Sequence, residues 1–324
     1  MPSTCDRCQS SDGPAVLGLD VGKSTVTLYD ARSGRSRRLR NTAEDLLEVL
    51  RAYAGYDLAV CEATGGYEDV LLATLLAVGI PAHRADAVRV RAFLRSHGTL
   101  AKTDPIDARG LARYGQDRFA TLACWTPAEA AHDEFVVLVE RRRDLVDLRV
   151  SEKNRLQAPR AAHVADDIAS LIDELSRRIG EIENRITMLI ESSQRLQRLA
   201  ETLRSVSGIG PTIAAVMIAG LPELGRLSRR EIASLAGLAP HPRDSGTIRG
   251  HRTTRGGRRA LRPSLFLAAL TASRGTGPLA DTYNRLLAAG KPKRLALVAI
   301  ARKIVVIANA KVRDLLNQTA SPEA

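Results

Sequence analysis

The sequence predicts an α/β domain on a mixed sheet in its first third, then a long pair of helices, then an all-α C-terminal region. Three observations predict this. Short apolar runs, Ala15-Val16-Leu17-Gly18-Leu19 and Leu58-Ala59-Val60-Cys61, alternate with segments of helical spacing. Residues 127–157 and 162–203 are long, charged and almost free of Gly. The last third is a series of apolar helical stretches around one loop rich in Pro, Gly and Arg.

Taken in order, residues 15–21 and 24–30 read as two strands about a turn at Gly22. Ser24-Thr25-Val26-Thr27-Leu28-Tyr29 alternates polar and apolar, as a half-buried strand does. Residues 35–40 supply a third strand. Residues 42–54 space Leu46, Leu47, Leu50 and Tyr53 as a helix does, with Thr42 suited to its N-cap. A strand at 57–62, a helix at 67–78, a strand at 80–84 and a helix at 86–96 complete a β-β-β-α-β-α-β-α order, which builds a mixed sheet. In the next segments Val136, Leu138, Val139, Leu145 and Leu148, then Leu171, Ile172, Leu175, Ile179, Ile182, Ile186 and Leu189, recur at three- and four-residue steps. They predict an antiparallel helical pair or coiled coil broken at Pro159, an element suited to association and spacing. Residues 228–237, 257–274, 278–289 and 292–316 read as helices. The expected division is a disordered tail at 1–14, an α/β domain at 15–122, a helical assembly region at 123–203 and a helical domain at 204–324.

Composition narrows the function. The chain has 324 residues, 44% hydrophobic and 26% charged, as soluble globular proteins do. No stretch reads as a signal peptide or membrane span, so a cytoplasmic protein is expected, associated with the nucleoid if it acts on DNA. The formal charge of +12 points to a polyanionic partner. Residues 1–122 hold 16 Lys+Arg against 15 Asp+Glu, residues 123–202 hold 12 against 15, and residues 203–324 hold 20 against 6. The excess base lies in the last third, and the main nucleic-acid surface is expected there. Aromatic residues are only 3%, too few for a binder that stacks bases, so backbone contacts by Arg are favoured. Cys5 and Cys8 form a Cys-x-x-Cys without two further ligands nearby, and Cys61 and Cys124 stand alone.

Four acidic residues carry the chemistry. Asp20 and Glu62 end apolar strands, where ligand sites of open sheets gather. Asp104 and Asp107 open a helix in Lys102-Thr103-Asp104-Pro105-Ile106-Asp107 and share one face of it. Each of the latter two also has a local explanation. Asp104 before Pro105 suits an N-cap, and Asp107 in the first turn suits the helix dipole. Four carboxylates in one site need a divalent cation or raised pKa values, and metal is the simpler answer. An all-oxygen set suits Mg²⁺, and paired Mg²⁺ ions serve displacement at phosphorus. Gly22-Lys23-Ser24 is not a P-loop, because the position that must be the first glycine of that motif is Leu17.

Two further motifs leave alternatives open. Gly208-Ile209-Gly210-Pro211 fits a helix-hairpin-helix whose amides hold a phosphate, or an ordinary glycine-rich connection. Ser245 precedes a glycine in the loop 239–257, near Arg243, Arg249, Arg252 and Arg255, with Arg258 and Arg259 beyond. It is either a turn residue in a phosphate-binding loop or a nucleophile whose transition state those arginines stabilise.

In combination, Gly18-Leu19-Asp20-Val21-Gly22-Lys23, Glu62-Ala63-Thr64-Gly65-Gly66-Tyr67 and Lys102 through Arg109 resemble the DEDD transposases of bacterial insertion sequences, of the IS one-ten type, with the related pilin-gene invertases. Gly208 through Pro211, and Gly237-Leu238-Ala239-Pro240 through Asp244-Ser245-Gly246, resemble that family's C-terminal transposase domain. The resemblance covers roughly residues 15–275. It implies an RNase H-like domain of RuvC type, with Asp20, Glu62, Asp104 and Asp107 as a Mg²⁺ tetrad holding two ions per composite site. It implies Ser245 as the nucleophile of a covalent phosphoserine link to DNA. It also implies donor and target DNA paired by a structured non-coding bridge RNA, and dimers assembling into tetramers in which one protomer's tetrad meets another's serine. The Arg residues named above, with Gly208 and Gly210, are the expected nucleic-acid contacts. A metal-dependent junction nuclease with water as nucleophile is the alternative. The Cys5–Cys8 segment lies outside the resemblance.

Overall fold

The computed structural model describes residues 13–98, 103–127, 130–241, 253–258 and 260–320. The chain divides into two compact units, residues 1–127 and 128–324. The expected tail falls almost wholly outside the described residues.

In the first unit, strands β1 (Val16–Val21), β2 (Thr25–Asp30), β3 (Ser36–Arg40), β4 (Leu58–Glu62) and β5 (Ala82–Ala85) form one sheet in the order β3-β2-β1-β4-β5. β1, β2 and β3 run as an antiparallel meander, while β1–β4 and β4–β5 pair in parallel. This is a five-stranded mixed sheet, as the sequence predicts. Helices α1 (Ala43–Leu50) and α2 (Asp69–Val78) link the later strands, and α3 (Ala87–Ser96) and α4 (Asp104–Arg118) follow them. Thr42 caps α1 by accepting from Asp45 N, as the sequence predicts. The cap of α4 differs from expectation. Thr103 is its extended N-cap residue, so Asp104 and Pro105 are already helical. Asp104 is therefore not consumed as a cap.

Side-chain alternation splits the core in two. Leu17, Leu19, Val26, Leu28, Ala59 and Cys61 pack with Leu46, Leu50, Leu71, Leu72 and Leu75 of α1 and α2. Val16, Leu58 and Val60 pack on the other face with Val90, Phe93, Leu111 and Tyr114 of α3 and α4. α4 lies unusually close to the sheet. A Cβ on Gly18 would stand 1.9 Å from Ala108 O and 2.5 Å from Ala112 N, and one on Gly115 would stand 2.7 Å from both Val16 Cγ1 and Val60 Cγ2.

In the second unit α5 (Ala130–Leu156) and α6 (Ala165–Ser192) form the predicted hairpin, joined by a 3₁₀ stretch at Pro159–Val164. Leu145, Leu175 and Ile179 form the seam. Arg142 pairs with Glu183 at 2.6 Å and Arg185 with Glu134 at 2.9 Å, so partners rise in number on one helix as they fall on the other, as antiparallel helices require. The single helix expected over 162–203 is divided. α6 ends at Ser192, and the Ser193 side chain caps α7 (Gln194–Arg204) by accepting from Leu196 N. Helices α8 (Pro211–Gly220), α9 (Arg229–Leu235), α10 (Leu261–Arg274), α11 (Pro278–Ala288) and α12 (Lys293–Ala320) share one core with α7 and the first turns of α5. The all-α expectation is corrected at one point. β6 (Pro240–His241) and β7 (Thr253–Thr254) pair antiparallel, joining the two ends of the basic loop.

Two outcomes test this packing. Gly18→Val destabilises the first unit by roughly 1–3 kcal/mol or more, because the close approach of α4 leaves no room for a side chain. Urea unfolding followed by Trp125, the chain's single tryptophan, reads this directly, since Trp125 packs against the α1–α2 core. An unchanged midpoint removes Gly18 as the seat of α4. Separately, burial pushes the Cys61 thiol up to about 12, with the Glu68 charge adding to the effect. Cys61 therefore stays unalkylated at pH 8 in the native protein and is labelled after unfolding, as peptide mass spectrometry will read.

Candidate active site and nucleic-acid interface

The parallel register sets Leu19 opposite Cys61. One residue further along each strand stand Asp20 and Glu62. Val16, Leu58 and Val60 point to the α3–α4 side and Leu17, Leu19, Ala59 and Cys61 to the other. By alternation Asp20 and Glu62 share the α4 side with Gly18. α4 runs against the direction of β1, since Ala108 sits over Gly18 while Gly115 sits over Val16. Its first turn, with Asp104 and Asp107, thus lies toward the Asp20 end. Three segments far apart in sequence bring four carboxylates to one end of one sheet face. Asp20, Glu62 and Asp107 are half-buried and Asp104 is exposed.

Among the described residues, no three His, Cys, Asp or Glu side chains are already drawn into a metal-holding group. Two carboxylates about 4 Å apart repel by roughly 1–4 kcal/mol, so drawing four of them together takes a cation. The donors themselves fit a hard divalent cation. They are all carboxylate oxygens, on strand ends and a first helical turn that the Gly18–Ala108 contact holds together.

Sequence reasoning missed two residues here. Glu68, only 2% exposed, folds back on the loop that follows Glu62. Its Oε2 accepts from Thr64 N at 3.0 Å, Thr64 Oγ1 at 2.8 Å and Gly66 N at 2.9 Å, and its Oε1 lies 3.7 Å from Arg84 Nη1. Burial pushes the Glu68 carboxyl up, but these hydrogen bonds outweigh it and hold the group below the ordinary glutamate value. Asn41, between β3 and α1, donates to loops on both sides of the site. The edge strand β3 also exposes Arg37, Arg38 and Arg40. Five arginines between positions 32 and 40 were visible in the sequence, but the balanced charge of residues 1–122 concealed them. Guanidinium groups on a sheet edge suit backbone phosphates.

The second unit holds the basic loop. Ser245, Arg243, Arg249, Arg252 and Arg259 lie outside the described residues. The loop's base is well fixed. Beyond the β6–β7 ladder, Gly237 and Gly257 meet so closely that a Cβ on Gly257 would stand 2.3 Å from Gly237 N. Both have positive φ, +67° each, so glycine serves conformation and contact together. Arg258 N donates to Leu235 O at 2.7 Å. The guanidinium of Arg258, one of the expected nucleic-acid contacts, forks onto Glu223 with two 2.7 Å bonds and donates to Gly220 O at 2.8 Å. It fastens the loop base to the end of α8. Arg255 is exposed, with Nε donating to Thr253 Oγ1 at 3.3 Å. Gly208 and Gly210 form the turn between α7 and α8. Gly208, at φ +91°, is packed, since a Cβ there would meet Ala268 O at 2.2 Å. Gly210 is the extended N-cap of α8, with nothing within 4 Å of its Cβ position.

Comparison with known proteins agrees with both halves. Residues 17–159 match a transposase family of the DEDD, IS110 type, and residues 200–285 match the transposase IS116/IS110/IS902 family. The pilin gene-inverting protein of Moraxella bovis is 28% identical over 314 residues, covering 92% of this chain and 95% of the relative. An uncharacterized 44.8 kDa protein of insertion element IS116 from Streptomyces clavuligerus is 34% identical over 166 residues, covering 50% of this chain and 40% of the relative. Among solved structures, T. thermophilus RuvC in complex with a Holliday junction substrate aligns with 35% of this chain and 99% of its own, at 15% identity and a TM-score of 0.29. No described helix is long and apolar enough to cross a membrane. With one family match across the carboxylate-bearing sheet and another across the helices around the basic loop, the chain belongs to the IS116/IS110/IS902 family of DNA transposases.

Proposed function

We propose that this transposase is an RNA-guided recombinase, in which Asp20, Glu62, Asp104 and Asp107 hold two Mg²⁺ ions and Ser245 is the nucleophile. The convergence of the four carboxylates at one end of the α4 face carries the reading. Bound there, the cations supply charge stabilisation at the reacting phosphorus. Ser245 Oγ forms a new P–O bond to a strand phosphate, the hydroxyl proton leaves to a base, and the bond from phosphorus to the departing strand oxygen breaks. That oxygen leaves as a hydroxyl. Reversal onto a different strand end restores the serine and joins the DNA, so strand exchange needs no outside energy source. Arginines of this segment bind the phosphate on either side of the break.

The strongly basic last third supports nucleic-acid partners, donor and target DNA together with a structured guide RNA. The α5–α6 pair leaves Val137 63% exposed and Met188 66% exposed, with Leu148 and Leu171 also in solvent, which supports self-association into dimers and tetramers. A composite site between protomers then unites tetrad and serine. The protein works in the cytoplasm, at the nucleoid.

Denaturing electrophoresis after incubation with substrate DNA, guide RNA and Mg²⁺ tests the nucleophile. The wild-type chain yields a DNA-linked band and Ser245→Ala yields none. Cleavage by Ser245→Ala without the band assigns the attack to water instead. Asp20→Asn lowers cleavage by roughly two orders of magnitude or more, as does chelation of the divalent cation. Full activity of either sample sinks the metal reading. Omitting the guide RNA abolishes site-specific exchange, and sequence-specific exchange without it removes the RNA from the mechanism.

A further inference from the structure

Asn41 joins two loops that are distant in sequence. Its Nδ2 donates to Gly22 O at 3.1 Å and to Tyr67 O at 2.8 Å. Gly22 directly follows the strand that carries Asp20, and Tyr67 lies in the loop that follows Glu62. The Asn41 backbone N–H donates to Ser24 O at 3.0 Å, so the residue is fastened to the β1–β2 turn at two points. Asn41 Oδ1 is buried with no hydrogen-bond partner among the described residues. An unsatisfied buried acceptor weakens a fold, and a residue that tolerates one is explained by what its other end does.

Glu68 completes the arrangement from the far side of the same loop. Asn41 holds the carbonyl of Tyr67, while Glu68 holds the amides of Thr64 and Gly66. Between them Gly65 and Gly66 have φ of +80° and +108°, a backbone with little stiffness of its own. The loop is thus tied at three residues, and one of the ties reaches across to the neighbouring strand end.

We infer that Asn41 and Glu68 are positioning residues that set the separation of Asp20 and Glu62 and thereby the affinity of the site for its divalent cation. The inference rests on the reading of these carboxylates as cation ligands. Without the Asn41 bridge the two strand-end loops lose their tie to each other, and a cation must draw the carboxylates together from a wider range of positions. Loss of supporting hydrogen bonds around ligands typically weakens metal sites 10–100-fold.

The test titrates Mn²⁺ into the full-length chain by calorimetry, for wild type, Asp20→Asn, Asn41→Ala, Asn41→Leu and Glu68→Gln. Wild type binds Mn²⁺ and Asp20→Asn loses that binding. Asn41→Ala raises the Kd about tenfold or more, and the Trp125 unfolding midpoint moves little, because the substitution also removes an unsatisfied acceptor. Asn41→Leu, similar in shape but without donors, gives the same weakening and guards against a cavity effect of alanine. Glu68→Gln weakens Mn²⁺ in the same direction, since it keeps the shape but loses the charge that strengthens its hydrogen bonds. Unchanged Kd in both Asn41 variants overturns the inference while leaving the carboxylate reading intact. So does a loss of affinity matched by an equal loss of stability, or failure of both variants to fold, since either makes Asn41 a general support of the fold. If Asp20→Asn binds Mn²⁺ like wild type, the carboxylate reading falls and the inference with it.

Discussion

The seating of α4 on β1 is the contact on which the first unit depends. Only a glycine at position 18 lets the Ala108 carbonyl approach the strand so closely, and only a glycine at 115 lets Val16 and Val60 press against the helix further down. These two points fix both the height and the direction of α4. Direction matters because it decides which end of the helix meets the C-terminal ends of β1 and β4. With α4 running against β1, a helix N-terminus arrives where two strand carboxylates already stand. The site is the by-product of a packing solution made from the smallest side chains available.

The second unit solves a different problem. The segment between His241 and Thr253 is rich in arginine, and the described residues at its two ends are held to each other and to the helices. A two-residue ladder, a glycine–glycine contact and the Arg258–Glu223 fork supply that hold within a few residues of each other. Arg258 commits its charge to this partly exposed pair with Glu223.

Much of this was legible in the sequence, and the limits have physical causes. Strands β1, β2 and β4 announced themselves because alternation or apolar runs are local signals, and their ends marked Asp20 and Glu62. The α5–α6 hairpin followed from three- and four-residue spacing. The break at Ser193 did not, because a capping serine within a periodic run carries no Pro or Gly to flag it. β6 and β7 are two residues each, too short to show any period. Gly18 and Gly115 gave no warning of their contacts, since a glycine in sequence does not say what approaches it. Asn41 was invisible for a related reason. The bonds of Asn41 span 19 and 26 residues, and they exist only once the sheet has brought the loops together.

The ladder between β6 and β7 has a consequence for how such a chain can change. It brings His241 opposite Thr253, so the residues between them leave and re-enter the helical body at one place. For a segment closed in this way, doubling the length costs only about 0.6 kcal/mol in closure entropy. Residues added to that segment or removed from it, the proposed nucleophile Ser245 apart, therefore change the cost of closing it only slightly, and the paired ends that close it keep their place in the second unit.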